Sequence, residues 1–186
     1  LLHIPFVGNF QIGWGYIPIF IFIIVATSFS VNQIDGLDGL AGGTLLTAFG
    51  AYGAIAFVQG KYDLAAFCGV IIGALIAFLW FNIKPARFFM GDTGAMSLGV
   101  TLGIIAMLTN QALLLPIIGM LFVVAALSSI IQILSKKLRG KKVFLSSPLH
   151  HHLEAIGWPE YKIVMRFWLI SGVTSVIGFI LFLLDK

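Results

Sequence analysis

The chain has 186 residues, 60% hydrophobic and 10% charged, with a formal net charge of +4 and a mean hydropathy of +1.07. Soluble domains carry about 25% charged residues, so this composition excludes an ordinary soluble protein and predicts an integral membrane protein. The single cysteine, Cys68, excludes a disulfide framework and a thiolate metal site.

Six segments are long and apolar enough to cross a bilayer as helices. A membrane core of roughly 30 Å needs about 20 helical residues, and a helix satisfies its own backbone hydrogen bonds in lipid. The predicted spans are 14–30, 40–58, 64–81, 93–108, 112–134 and 163–184. A polar turn at 109–111 separates the fourth span from the fifth, and Pro116 is expected near the start of the fifth helix. The predicted fold is an all-α polytopic transmembrane helix bundle, forming one integral membrane domain over residues 1–186.

Basic residues predict which membrane face each loop occupies, because short cytoplasmic loops are enriched in Lys and Arg. The run KKLRGKKVF, residues 136–144, places the loop after the fifth span in the cytoplasm. Counting spans from there assigns Lys84, Arg87, Lys162 and Arg166 to the same face and leaves Lys61 and Lys186 on the other. The run is interpreted as a topology signal that attracts anionic lipid, with attraction of a polyanionic substrate as a secondary effect.

The same alternation of spans brings three polar stretches to the cytoplasmic face. They are VNQIDGLDGLAGG, FNIKPARFFMGDTGA and SPLHHHLEAIGW. Five of the seven acidic residues are expected there, namely Asp35, Asp38, Asp92, Glu154 and Glu160, while Asp63 and Asp185 fall on the other side. Placement at span ends is partly forced, because a carboxylate at the bilayer centre is costly. It does not explain the spacing of these residues or the glycines beside them.

In the first stretch, Asp35 and Asp38 are each followed by glycine and precede an apolar helix. One interpretation is a turn in which Gly36 and Gly39 adopt positive φ and an Asp side chain caps the helix. The other is that the carboxylates bind sugar or base donors while a phosphorylated ligand approaches the helix N-terminus. The pattern is neither a Walker loop nor a Rossmann fingerprint.

The second stretch contains one carboxylate, Asp92, between two glycines at the start of a predicted helix. Helix capping by Asp92 or Thr93 is one explanation. Lys84 and Arg87 lie upstream in the same loop, and an anionic oxygen ligand beside cations suits Mg²⁺ bound together with substrate phosphate. The phenylalanine pair before Asp92 is interpreted as an interfacial anchor or as a stacking partner for a nucleobase.

The third stretch carries three consecutive histidines, His150, His151 and His152. Consecutive side chains on a helix point about 100° apart, so one regular element does not direct all three at a single metal ion. No zinc-site spacing occurs around them. Two interpretations stay open, a structural role at the membrane interface and a role as hydrogen-bond donors and proton carriers around phosphates.

Together these stretches resemble the cytoplasmic signatures of the bacterial phospho-N-acetylmuramoyl-pentapeptide transferases, within the wider polyprenyl-phosphate N-acetylhexosamine-1-phosphate transferases. NQIDGLDGLAGG, FNIKPARFFMGDTGAMSLG, KLRGKKVF and SPLHHHLEAIGWPE followed by RFW occur in that family's order and spacing. The triple histidine is the most specific signature, since relatives that use N-acetylglucosamine tend to interrupt it. The resemblance covers this chain but only the C-terminal half of the family's ten-span protein.

The resemblance implies transfer of phospho-MurNAc-pentapeptide from UDP-MurNAc-pentapeptide to undecaprenyl phosphate, with Mg²⁺ as cofactor and UMP and lipid I as products. By matching position, it makes Asp92 the metal-binding catalytic aspartate and His150 a catalytic residue near the diphosphate. The resemblance also implies that Phe89 stacks against uracil. The substrate-binding residues it implies are Asn32, Asp35, Asp38, Asn82, Phe89, Gln132, His151 and His152. It also implies a bacterial cytoplasmic membrane location, an active site on the cytoplasmic face and a homodimer, and no nucleic-acid partner is expected.

Some features depart from the family pattern. The family's adjacent Asp-Asp pair belongs upstream of Leu1, so residues 1–186 alone are expected not to turn over substrate. Phe29 stands where the family often has Asn, and Ala125 stands where it usually has Glu. Three other functions stay open: an N-acetylglucosamine-1-phosphate transferase, a transporter, and a non-catalytic subunit that binds a nucleotide sugar. A transporter is expected to hold its charges nearer the membrane midplane.

Overall fold

The structure is a computed structural model, and it describes residues 2–11 and 13–185. As predicted, it is a bundle of helices. The helices are α1 (Tyr16–Ile34), α2 (Leu40–Val58), α3 (Tyr62–Asn82), α4 (Gly91–Leu108), α5 (Leu115–Ile118), α6 (Met120–Arg139), α7 (Leu149–Ala155) and α8 (Glu160–Leu184). Within the described residues, six helices are long and apolar enough to cross a membrane, which confirms the predicted number of spans. The protein is a multi-pass membrane protein.

Most spans agree with the predicted bounds to within a helical turn. α2 has the predicted bounds, whereas α1 continues to Ile34 because Val31 and Ile34 are fully buried and keep the last turn packed. α8 begins at Glu160, directly after Pro159, which serves as its N-cap. The proline ends the preceding segment in an extended conformation, so the first turn of α8 starts earlier than the apolar pattern indicates.

The predicted fifth span is not one continuous helix. A 3-10 turn at Ala112–Leu114 leads into α5, and Gly119, with φ −97° and ψ 33°, separates α5 from α6. Pro116 lies in the first turn of α5, where its missing N–H costs least. A Cβ on Gly119 would lie 2.9 Å from the Phe122 ring and 3.0 Å from the carbonyl oxygen of Leu115. The break is therefore closely packed, and only glycine fits it without rearrangement.

Close helix packing positions the loops at the ends of the bundle. α2 packs against α3 and α8, while α1 packs against α4 and α6. Phe49 and Tyr52 of α2 are fully buried. Gly99 of α4 lies directly against α1, where an added Cβ would be 2.7 Å from the Cα of Ser28. In lipid, where the hydrophobic effect does not draw helices together, such contacts between small residues stabilise helix pairs.

A short antiparallel hairpin, which the sequence pattern did not predict, covers one end of the bundle. Its strands are β1 (Leu2–Ile4) and β2 (Gly8–Phe10). The imidazole Nε2 of His3 lies 2.5 Å from the carboxylate of Asp185, just beyond α8. The two ends of the described chain therefore lie on the same side, as an even number of spans predicts. Lys186, predicted to lie on this side, falls outside the described residues.

Gly99→Ala is expected to destabilise the bundle, because the added methyl group would push α4 away from the α1 backbone. Overpacking costs about 1–3 kcal/mol, so the apparent melting temperature in detergent should fall by several degrees. Gly73→Ala in α3 is the matched control, since no other atom lies within 4 Å of its added Cβ. Equal melting temperatures for the two variants would contradict the close packing of α1 and α4.

Candidate functional site

Three loops meet at the end of the bundle opposite the hairpin. The first loop is residues 35–39 between α1 and α2, and the second loop is residues 83–90 between α3 and α4. The third loop is residues 140–159 between α6 and α8, and it includes α7. The contacts that join these loops confirm that alternate spans bring the three polar stretches to one end of the bundle.

Glu160, the first residue of α8, joins the first two loops. Its Oε1 accepts a hydrogen bond from the backbone N–H of Asp38 at 2.9 Å, and its Oε2 pairs with the ammonium of Lys84. The carboxylate of Asp38 in turn accepts the N–H of Ala86, in the second loop, at 3.1 Å. The hydrogen bond to Glu160 raises the pKa of Lys84 above its usual value.

Asn82 and Trp168 make a second connection, centred on Gly39. Asn82 accepts the N–H of Gly39 at 3.0 Å and donates to the carbonyl of Phe88 at 2.9 Å, while Trp168 donates to the carbonyl of Gly39 at 3.0 Å. Gly39 occupies the N-cap position of α2 with φ 78°, which confirms the positive φ predicted for it. Neither α2 nor α4 has a side-chain cap, so capping by an Asp or Thr side chain does not explain these stretches.

Gly36 brings the third loop against the first. The prediction that Gly36 adopts positive φ is wrong, since it is not among the residues with positive φ. Its role is steric, because an added Cβ would lie 2.5 Å from Nε2 of His150 and 2.8 Å from Nε2 of His151. A side chain at this position would displace both imidazoles from the first loop.

His150 is fully buried, and within the described residues neither of its ring nitrogens has a hydrogen-bond partner. Burial, with a smaller contribution from neighbouring His151, lowers the pKa of His150 to about 3. The ring is therefore neutral at pH 7 and offers one donor and one acceptor. In this arrangement it suits a hydrogen-bonding role better than that of a proton carrier near neutral pH.

The other two histidines have protein partners. Nδ1 of His151 lies 2.6 Å from the carboxylate of Glu154, and Nδ1 of His152 accepts the N–H of Leu145 at 3.2 Å. The three imidazoles of α7 thus have different surroundings. Among the described residues, no group of three or more His, Cys, Asp and Glu side chains is arranged to hold a metal ion.

Asp35 and Asp92 interact where the first loop meets the N-terminus of α4. Burial raises the pKa of Asp35, a hydrogen bond from the backbone N–H of Gly91 opposes this effect, and repulsion by Asp92 raises the pKa further. Asp92 lies exposed in the first turn of α4. Two carboxylates close enough to repel each other are stabilised by a cation between them.

This donor set fits Mg²⁺. Magnesium prefers oxygen ligands and commonly uses one or two protein carboxylates, with water and substrate phosphate oxygens completing its shell. Asp92 offers an accessible carboxylate, and Asp35 offers a second, partly buried one. The two residues could therefore supply the one or two carboxylates that such a site uses.

Two further residues predicted to bind substrate have polar or aromatic groups available. The side-chain oxygen of Asn32 is buried and has no hydrogen-bond partner within the described residues. Phe89 is 73% exposed, whereas Phe88 packs against the rings of Phe78 and Phe81. Of the phenylalanine pair, Phe89 is therefore the one free to stack on a planar ligand.

Gln132, also predicted to bind substrate, fastens the third loop to α6. Its side-chain oxygen accepts the N–H groups of Val143 and Phe144, each at 3.0 Å, and its amide donates to the carbonyl of Phe144 at 2.8 Å. These bonds support the loop that carries the histidines. Contact of Gln132 with a ligand stays a prediction, as it does for the other predicted substrate-binding residues.

The two departures from the family pattern lie away from these contacts. Phe29 lines an apolar groove of about 600 Å³ between α1 and α6. Ala125 is buried on α6. The contacts of Glu160 and Trp168 and the steric role of Gly36 were not predicted from the sequence, because their partners are distant in the chain. The sequence shows only that Glu160 follows a proline at the start of a helix, where a negative charge is favourable. It does not show which loops the side chain contacts.

Comparisons with known proteins identify similar sequences. The family model for glycosyl transferase family 4 matches residues 1–110. The chain is 48% identical over 178 residues to the phospho-N-acetylmuramoyl-pentapeptide-transferase of Geobacillus thermodenitrificans, covering 95% of this chain and 55% of the relative. It is 45% identical over 183 residues to the protein of the same name from Rubrobacter xylanophilus, covering 95% of this chain and 56% of the relative. The chain spans about half the length of the curated relatives it matches, and the resemblance seen in its motifs is confirmed.

The burial of His150 predicts a pH-dependent stability. An unfolded histidine binds a proton near pH 6.5, but folded His150 does so only near pH 3, so the unfolded state binds more protons between these values. Stability should therefore fall as the pH drops below about 6.5, by about 2 kcal/mol at pH 5. Thermal unfolding of the protein and of His150→Phe, measured between pH 5 and 7.5, checks this. The variant should lose less stability at low pH, and parallel curves would contradict the burial of a neutral ring.

Proposed function

Because the chain belongs to glycosyl transferase family 4, we propose that the complete protein is a phospho-N-acetylmuramoyl-pentapeptide-transferase. It transfers phospho-MurNAc-pentapeptide from UDP-MurNAc-pentapeptide to undecaprenyl phosphate in the bacterial cytoplasmic membrane, forming lipid I and releasing UMP. One observation carries the proposal: Asp35, Asp92 and His150, which are distant in sequence, converge at one end of the bundle. The similarity to transferases of that name supports the choice of substrates.

In the proposed reaction, an oxygen of undecaprenyl phosphate attacks the β-phosphorus of the UDP-sugar, and the bond from this phosphorus to the bridging oxygen breaks as UMP leaves. Asp92, with Asp35 beside it, would hold Mg²⁺, which supplies charge neutralisation for the diphosphate when bound. Neutral His150 would donate its ring N–H to a phosphate oxygen. Phosphoryl transfer depends mainly on positioning and electrostatic stabilisation, which fixed carboxylates and a buried imidazole provide.

The first and second loops would hold the nucleoside. Phe89, exposed at the second loop, would stack on uracil, and the unpaired oxygen of Asn32 would accept a donor from the ligand. Asp38 and Asn82 lie between the two loops and would line the same pocket. Gln132, His151 and His152, which order the third loop, would lie at its border.

Other functions are less well supported. In the described spans, every Asp, Glu, Lys and Arg lies within about two turns of a helix end, which disfavours a transporter with ionisable groups at the midplane. The uninterrupted triple histidine favours the muramoyl substrate over UDP-N-acetylglucosamine, the runner-up. A non-catalytic subunit that only binds the nucleotide sugar is the remaining alternative. A homodimer, and a ten-span protein of which residues 1–186 are the C-terminal part, also belong to this proposal.

The function is tested by a substrate comparison in the complete protein. UDP-MurNAc-pentapeptide and UDP-N-acetylglucosamine are supplied separately with undecaprenyl phosphate, with and without Mg²⁺, and UMP and lipid-linked product are measured. The proposal expects lipid I from the muramoyl substrate only when Mg²⁺ is present. Product from UDP-N-acetylglucosamine alone would favour the runner-up, and binding without UMP release would favour the non-catalytic subunit.

Asp92→Asn in the complete protein is expected to reduce lipid I formation by about a hundredfold or more, because an amide binds a divalent cation far more weakly than a carboxylate does. Asp63→Asn, at the start of α3 on the opposite side of the bundle, is the control and should keep full activity. Expression and melting temperature show whether both variants fold. Full activity of Asp92→Asn would refute the metal-binding role.

A further inference from the structure

We propose that Glu160 is a positioning residue, which sets the placement of the first loop relative to the second and thereby the width of the nucleoside diphosphate pocket. Its two carboxylate oxygens act on different loops. Oε1 accepts the N–H of Asp38 at 2.9 Å, and Oε2 pairs with Lys84. One side chain of α8 thus ties together two loops that belong to different helix pairs.

Glu160 is itself held firmly. It follows Pro159, which restricts the backbone at the start of α8, and Ile163 and Phe167 of the next two turns are buried in the bundle. The side chain of Glu160 is 15% exposed, whereas that of Lys84 is 52% exposed. The favourable dipole at the N-terminus of α8 also stabilises the carboxylate. The bundle therefore holds Glu160 in place, and Glu160 in turn holds Lys84, the more exposed partner.

The contacts of Asp38 explain how Glu160 would act on ligand binding. The backbone of Asp38 is held by Glu160, and its side chain holds Ala86 in the second loop at 3.1 Å. Loss of the bond from Glu160 frees the backbone of Asp38, so its carboxylate no longer keeps the second loop in place. Phe89 lies in that loop, so the stacking surface for the nucleoside would move with it.

Asp35 and Asp92, the proposed metal ligands, depend less on the contacts that Glu160 makes. Asp92 lies in the first turn of α4, and Asp35 is the C-cap residue of α1, where its backbone N–H donates to the carbonyl of Asn32. Among the described residues, the hydrogen bond and ion pair of Glu160 are with Asp38 and Lys84 and with neither of these two carboxylates. The loss of Glu160 should consequently weaken nucleotide binding more than it slows the chemical step.

The inference rests on the proposed function for its kinetic readout, but nucleotide binding tests it independently. In the complete protein, Glu160→Ala should raise the KM for UDP-MurNAc-pentapeptide and the Kd for UDP about tenfold, because part of the binding energy would then be spent on ordering the two loops. kcat should change less than about threefold. A residue needed only for folding would instead lower the amount of active protein without this separation of KM from kcat.

Two milder variants separate the two bonds and avoid dependence on a variant that fails to fold. Glu160→Gln keeps an acceptor for the N–H of Asp38 but loses the charge that pairs with Lys84, so its KM should lie between those of the wild type and Glu160→Ala. Lys84→Met removes only the ion pair and should resemble Glu160→Gln. Combining Glu160→Gln with Lys84→Met should add little, because both changes remove the same interaction.

Asp63→Asn is again the control, with unchanged KM and Kd. If the wild type binds UDP and forms lipid I while all Glu160 variants keep wild-type KM and Kd, the inference is wrong and the proposed function stands. If the wild type binds UDP without forming product and Glu160→Ala weakens that binding, the inference stands and the proposed reaction fails. A wild-type protein that neither binds UDP nor forms product would overturn both.

Discussion

The hydrocarbon core of a membrane does not tolerate unpaired backbone groups or isolated charges, and this constraint organises the whole structure. Each span must be a helix, and the charged side chains must lie at helix ends. Alternate crossings then bring every second loop to the same side. Asp38 and Glu160, which are 122 positions apart, come within hydrogen-bond distance in this way. A site made of distant residues thus follows from the requirement that the chain cross the membrane repeatedly.

At the membrane edge, the loops depend on polar side chains to satisfy their backbone groups. Loop N–H and carbonyl groups that leave water require partners, and regular secondary structure does not supply them there. Asn82, Trp168 and Glu160 serve the first two loops, and Gln132 serves the third. Several residues that the family resemblance assigns to substrate binding therefore also order the loops. Their substitution would affect binding through loop placement as well as through direct contact.

The end of the bundle that carries the three loops also contains buried polar atoms without a hydrogen-bond partner among the described residues. Both ring nitrogens of His150 and the side-chain oxygen of Asn32 are buried without partners, within the residues described. Repulsion by Asp92 contributes to the raised pKa of Asp35. Unsatisfied buried polar atoms cost about 1–3 kcal/mol each, and proteins tend to retain such costs at functional sites. Under the proposed function, a divalent cation would offset the repulsion between the two carboxylates, and donor and acceptor groups of the ligand would pair with Asn32 and His150.

Hydropathy and charge by themselves determined the number of spans, their approximate bounds and the face on which the polar loops gather, because the membrane acts on each segment through its own length and charge. The motifs determined Asp92 and the histidines as candidates through family resemblance. Only the tertiary structure decided that the fifth span breaks at Gly119, that Gly36 is needed for space instead of backbone conformation, and that Glu160 joins two loops. These features depend on contacts between residues far apart in the chain, and a local sequence pattern does not indicate which distant residues come into contact.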